Sequence, residues 1–301
     1  MAARAGVLAL LLLACGCGAP SKDAGQGNRS PVWRVQGLAE PESVALGPDG
    51  RTLYVANVGG EGEAKDGNGF ISRISTGGRV LQRQWVTGLD APKGALVVGG
   101  RLYVSDIDRL VEIDIAAGRV VARYAVAGAT FLNDVAAAPD GTMLASDSGS
   151  GRIFALRGGR VFVWADHAEL RSVNGLLAEP QRLVVTTMEG KLLAVDYVTK
   201  AVTVLATGLG EADGVTQGDG DAYFVSEWPG RLFRVTPDGR SQVLIDGRAR
   251  GAYINDFIRV GDLLIIPSWK PGELTAYRVL TWMLTQVEGE RLPARLQRTY
   301  M

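Results

Sequence analysis

Six times along this chain a polar residue opens a short apolar run that ends in a turn. The openings are ESVALGPDG at Glu42, KGALVVGGR at Lys93, NDVAAAPDG at Asn133, NGLLAEPQR at Asn174, DGVTQGDGD at Asp213 and NDFIRVGDL at Asn255. They stand 51, 40, 41, 39 and 42 residues apart. After each comes a second apolar run (TLYVANV, RLYVSDI, TMLASDS, RLVVTTM, AYFVSEW, LLIIPSW) and then a third (FISRIS, RLVEID, RIFALR, KLLAVD, RLFRVT, ELTAYR). A fourth is visible in most units, as in VLQRQWV and AVTVLAT. Four short β-rich runs per period near 40, with turns between them, are the signature of a propeller blade. Helical periodicity is absent from the body. The expected fold is all-β, a six-bladed β-propeller of four-stranded antiparallel blades.

The closure of the ring is legible too. GLAEPES at Gly37 matches GLDAPKG at Gly88 and GLGEADG at Gly208, so VWRVQGL holds the place of a fourth strand yet precedes the first blade. It is expected to complete the sixth blade from the other end of the chain and so hide the sheet edges. The propeller then spans 33–281, and residues 282–301 have no slot in it.

The N-terminus reads as an export signal. MAARAGVLALLLLACGCGAP carries one arginine and an apolar run from Val7 to Ala14, too short for a permanent membrane span. Ala14 before Cys15, with Leu12 three residues ahead, resembles a bacterial lipobox, which implies cleavage after residue 14 and lipidation of Cys15. A plain cleaved signal is the alternative, and Cys17 is a second candidate. Residues 15–32 hold almost no large apolar side chain and read as a tether. The protein is therefore expected to be exported and held at the cell envelope by its lipid, with no other membrane contact. Both cysteines lie in this leader, so the body holds no disulfide and depends on packing. With 32 basic and 32 acidic residues and no basic block, a nucleic-acid partner gets no support. A monomer is expected.

In a propeller the first strand of each blade lines the central channel. Glu42, Lys93, Asn133, Asn174, Asp213 and Asn255 should therefore form one ring around the axis. Asn-Gly, Asn-Asp and Asp-Gly are also turn formers, and the plainer reading is that they only shape the approach to each strand. Six polar residues in register favour the ring. Its Glu42, Asn133, Asn174 and Asp213 offer only hard oxygens, two of them charged, which suits calcium. Zinc, copper and iron favour His and Cys, and the single His167 lies off the ring, in a surface loop.

The order Glu, Asn, Asn, Asp, one per blade at inner-strand starts, resembles the calcium site of the senescence marker protein/gluconolactonase/regucalcin family. Diisopropyl fluorophosphatase and the paraoxonases share the same six-bladed plan. The resemblance covers about residues 33 to 280. It implies calcium on Glu42, Asn133, Asn174 and Asp213, with Asp213 also the catalytic base or nucleophile. The implied activity is hydrolysis of a small-molecule lactone or ester, with the metal polarising the carbonyl.

Lys93 and Asn255, the ring positions outside the four, are the expected substrate-binding residues. Lys93 departs from the family pattern. At about 8 Å and an effective dielectric of ~20, its ammonium and a dication repel by roughly 4 kcal/mol. Pointing inward, it pairs with Glu42 and displaces the metal; snorkelling outward, it binds an anionic group of the substrate. No Ser or Cys nucleophile with a His is apparent, so a second class of function stays open: a non-catalytic propeller presenting its faces to a protein or glycan. Asp106, Asp147, Glu227, Trp228 and Trp269 fall near the turns at the ring end and are expected to rim the mouth. GGEGEAKDGNG, in the first blade, is the longest such loop and a candidate lid.

Overall fold

The computed structural model describes residues 30–279. Cys15, Cys17, the expected signal and all but the last residues of the tether lie outside the described residues, as does the C-terminal extension 282–301. Among the described residues the chain forms six sheets of four antiparallel strands. Blade 1 comprises Pro41–Leu46, Thr52–Asn57, Gly69–Ser75 and Val80–Leu89. Blades 2 to 5 repeat this order from inner strands Pro92–Val98, Leu132–Ala137, Val173–Ala178 and Ala212–Gln217. Blade 6 runs Ile258–Val260, Leu263–Ser268 and Glu273–Arg278, and its outermost strand is Trp33–Gln36 from the other end of the chain. Trp33 pairs with Ala276 and Gln36 with Glu273, as expected for a ring closed by its N-terminal strand. Among the described residues only two single-turn 3-10 helices, Ala168–Leu170 and Arg248–Arg250, interrupt the β-structure.

The second and third runs read as nearly continuous apolar stretches because their sheets are covered on both faces. Successive side chains of a strand point to opposite faces. In blade 3, Ile153 and Ala155 pack against Leu183 and Val185 of blade 4. The intervening Phe154 and Leu156 pack toward Leu110 of blade 2. Similar apolar layers fill the other interfaces, including that between blades 6 and 1, where Val35 of the closing strand meets Val44, Leu53 and Ile265. The outer strands show the opposite pattern: Arg119–Ala125 of blade 2 alternates exposed and half-buried residues, as a one-sided strand should.

The inner strands share a device that the sequence did not disclose. In blades 1 to 5 the register slips by one residue just after the strand begins, at Pro41/Val44, Pro92/Ala95, Leu132/Val135, Val173/Leu176 and Ala212/Val215. Two residues of the inner strand thus oppose one of its neighbour, which is a β-bulge. The Asn-Asp, Asn-Gly and Asp-Gly pairs that read as turns are the bulged pairs. Blade 6 is more irregular, with Asn255 between a lone bridge from Ile254 to Ser268 and a strand starting at Ile258.

Candidate functional site

Each bulge presents its first residue to the axis. Glu42, Lys93, Asn133, Asn174 and Asp213 are the second residues of their strands, and Asn255 holds the equivalent place in blade 6. All six line one cavity of about 200 Å³. All are buried, between 2% and 6% exposed. The ring read from the repeat is thus brought together in full.

The second residue of each bulge makes the contact between neighbouring inner strands. Three are glycines, because the strands approach too closely for more. A Cβ on Gly94 would lie 2.5 Å from the Asp134 Cα, and one on Gly214 would lie 2.4 Å from Asp256 Oδ1. Hydroxyls opposite the bulges take up the backbone groups that the slip frees. The N–H of Asp134 donates to Ser146, that of Gly175 to Thr186, and that of Gly214 to Ser226. Ser105 and Thr186 also donate to the carbonyls of Asn133 and Asp213 in the next blade. The ring is therefore stitched blade to blade.

Two residues that directly follow ring positions, Asp134 and Asp256, are acidic, and nothing in the sequence signalled their role. Asp134 is buried and accepts from its own strand at Val135 N (2.7 Å) and from blade 4 at Leu176 N (2.6 Å). Burial nonetheless pushes its carboxyl up to about 7. Asp256 is half-buried, yet protein encloses its carboxyl closely. Desolvation raises its pKa well above the usual range, and Asp134, Glu42 and Asp213 add to the rise. Desolvation followed by the charge of Asp134 carries Asp213 up to about 8. Glu42 is raised by burial and then by Asp213, against the pull of Lys93. Four carboxyls thus lie close together at the inner strands. Burial is the main cause of their raised proton affinity, and the charges of neighbours add to it for Glu42, Asp213 and Asp256.

Lys93 follows neither course foreseen for it. It is 2% exposed, so it does not snorkel to solvent, and among the described residues no ion pair joins it to Glu42. Its ammonium donates to the carbonyls of Gly62 (2.7 Å) and Ala91 (3.3 Å) and sits 4.2 Å from the centre of the Phe131 ring. Desolvation lowers its pKa, and Glu42 resists that shift. The long loop of blade 1 supplies the Gly62 carbonyl and is pinned elsewhere by the Lys65–Asp108 pair.

The amides of the ring are turned by their neighbours. Asn133 Nδ2 donates to Ser148 Oγ (3.3 Å) and Asn174 Nδ2 to Met188 Sδ (3.2 Å). Glu42 Oε2, Asn174 Oδ1, Asp213 Oδ1 and Asn255 Oδ1 are buried without a hydrogen-bond partner. All four belong to residues that line the cavity, and all four are acceptors. Among the described residues no group of three or more His, Cys, Asp or Glu stands ready to hold a metal. A cation here must take amide oxygens as well as carboxylates, and the ring supplies them.

The mouth divides differently from expectation. Phe131, Met188, Trp228 and Trp269 line it and are half-buried. Asp106, Asp147 and Glu227 do not line the cavity. Asp106 accepts from the N–H groups of Asp90 and Ala91, and Asp147 from those of Thr130 and Phe131, so each clasps the loop leading into an inner strand. Glu227 is paired with Arg231. Met188 was missed, although it follows its second strand just as Trp228 and Trp269 follow theirs. His167 is exposed and caps a short 3-10 helix, as a surface residue would.

No family model matches the chain, and no curated protein matches it. Solved structures do. A streptogramin B lyase superposes with a TM-score of 0.59 at 11% identity, over 81% of this chain and 96% of that one. Virginiamycin B lyase from Staphylococcus aureus gives 0.58 at 12% identity, over 81% and 97%. A chain of a nidogen/laminin complex gives 0.60 at 16% identity, over 77% and 90%. The shared feature is the fold. At such identities nothing finer is carried across.

Proposed function

We propose that the axial cavity is a calcium-dependent hydrolase site for lactones or related esters. The observation that carries this reading is the set of four buried, unpartnered acceptor oxygens on Glu42, Asn174, Asp213 and Asn255. A buried polar group left unpaired costs about 1–3 kcal/mol. With Glu42 and Asp213 ionised, the four oxygens offer only lone pairs, and carboxylate and amide oxygens in loose geometry suit calcium. Glu42, Asn133, Asn174 and Asp213 would hold it. Asn255, first read as a substrate residue, offers the same kind of oxygen and joins them. Bound there, calcium would supply Lewis-acid polarisation of a carbonyl and stabilise negative charge developing on it.

The chain's own groups supply the rest. Asp213 brings a carboxylate to the cavity and would be placed to take a proton from an attacking water. Lys93 places a fixed positive charge in the wall beside Glu42 without occupying the axis. The order of oxygen-bearing residues around the ring is similar to that of the gluconolactonase-like propellers and favours ester chemistry over the lyase chemistry of the superposed structures. In virginiamycin B lyase a histidine-to-alanine variant is catalytically inactive. The one histidine here, His167, is exposed and does not line the cavity.

Isothermal titration with calcium, followed by a screen of lactones, aryl esters and phosphotriesters with Asp213→Ala as control, tests this reading. Saturable calcium binding and a turnover that the variant loses are expected. No calcium binding and no rise in melting temperature with calcium would remove the hydrolase reading. Calcium binding without turnover of any of the three classes would favour a non-catalytic propeller.

A further inference from the structure

The walls above the ring set the kind of molecule the cavity takes. Phe131, Met188, Trp228 and Trp269 come from four consecutive blades and present half-buried apolar faces over a polar floor. The two indoles are braced. Trp228 lies against Tyr253 with ring centres 4.7 Å apart, and Trp269 packs on Val58, Ala91 and Ile107. The side of blades 1 and 2 is narrowed by the pinned loop, where a Cβ on Gly62 would stand 3.8–3.9 Å from Trp269, Lys93 and Phe131. Lysine has three donors, and the Lys93 ammonium directs two at carbonyls and rests on the Phe131 face, so its charge is already answered. Among the described residues no arginine, serine, threonine, tyrosine or histidine lines the cavity.

Resting on the hydrolase reading, we infer that the substrate is a small uncharged ester or lactone carrying an aromatic ring. The ring would lodge between Trp228, Trp269 and Phe131 with Met188 at its edge, and the carbonyl would point down to the polar floor. A polyhydroxylated lactone would desolvate the hydroxyls that lie above the floor against aromatic and thioether walls. An anionic substrate would meet Glu42 and Asp213 with Lys93 already engaged. The cavity volume of about 200 Å³ lies below the range that encloses a drug-sized ligand, which limits the guest to about one ring and its acyl function.

Binding of non-hydrolysable probes, read from tryptophan fluorescence and by calorimetry with and without calcium, tests the inference independently of turnover. Benzyl methyl ketone supplies the ring and carbonyl, benzoate the ring with a charge, and gluconolactam the polyol. The ketone should bind at least tenfold tighter than either of the others. Trp228→Ala and Trp269→Ala should each weaken it roughly tenfold, the scale of a lost aromatic contact, while leaving the calcium isotherm unchanged. Gly62→Val, at a position without positive φ, should do the same by filling the gap beside Trp269 and Phe131, and circular dichroism confirms that each variant is folded. Equal or tighter binding of benzoate or gluconolactam, or ketone binding indifferent to all three substitutions in folded protein, would overturn the inference. Ketone binding that follows this pattern while none of the lactones, aryl esters or phosphotriesters is hydrolysed would uphold the pocket assignment and sink the hydrolase reading alone.

Discussion

Asp213 and Glu42 are carboxyls placed where ionisation is unfavourable, and the acceptors beside them are unpaired. That combination ties proton and cation binding together. In calcium-free protein Asp213 holds its proton up to about 8, whereas an unfolded chain releases it near the ordinary carboxylate value. Between those limits the folded state binds the extra proton, so stability is fullest at low pH and declines as pH rises through about 8. Thermal melts in chelator should therefore fall in midpoint from pH 5 to pH 9, and saturating calcium should remove most of the fall. A melt that rises with pH in chelator would contradict the buried, unpaired state of these groups. Substitution separates charge from shape at the same sites. Asp213→Asn should weaken calcium by at least tenfold in isothermal titration, because it removes a full charge and keeps the outline. Lys93→Met should tighten calcium only by about tenfold, short of the roughly thousandfold an inward ammonium at about 8 Å would imply. The same change frees the Gly62 carbonyl, so amide exchange across residues 59–68 should quicken.

At the level of elements, the inner-strand bulge and the closing strand carry the architecture. The bulge aims one residue at the axis, sets the next against the adjacent blade, and is held by a hydroxyl on the second strand in blades 3, 4 and 5. Closure rests on Trp33–Gln36, reinforced by the Trp33 indole donating to Thr76 O (3.0 Å) in blade 1 and by Leu38 N to Gly272 O (2.9 Å). A chain beginning at Ser30 keeps every one of these contacts. A chain beginning after Leu38 loses them, bares the edge of Glu273–Arg278 and removes Val35 and Leu38 from the core between blades 6 and 1. Chemical denaturation should find the first truncation within about 0.5 kcal/mol of the full chain and the second destabilised by several kcal/mol or unfolded. Equal stability of the two would mean that the ring closes in another way.

For the whole molecule, the export reading makes its own prediction: mass spectrometry of the membrane fraction should find Cys15 as a diacylglyceryl-modified N-terminus. Recovery of soluble protein cleaved beyond Cys17 would refute it. The ring and its closure were legible along the chain because a blade repeat in constant phase must put equivalent residues at equivalent distances from one axis. Glu42, Lys93, Asn133, Asn174, Asp213 and Asn255 could thus be named without coordinates, as could VWRVQGL as the closing strand. The same logic found Trp228 and Trp269 and could have found Met188, whose thioether was hidden by its difference from tryptophan. What each ring residue does with its side chain was not legible. Lys93 is turned to a carbonyl 31 residues earlier in the chain, and the amides of Asn133 and Asn174 are oriented by Ser148 and Met188. Asp106 and Asp147 are drawn into backbone clasps. Asp134 meets the backbone of blade 4 only because a bulge places two residues where a regular strand would place one. Phase along a repeat is a property of one chain segment at a time, so sequence determines it. Side-chain direction, hydrogen-bond satisfaction and proton affinity depend on the adjacent blade and on the water it excludes, and only the closed ring decides them.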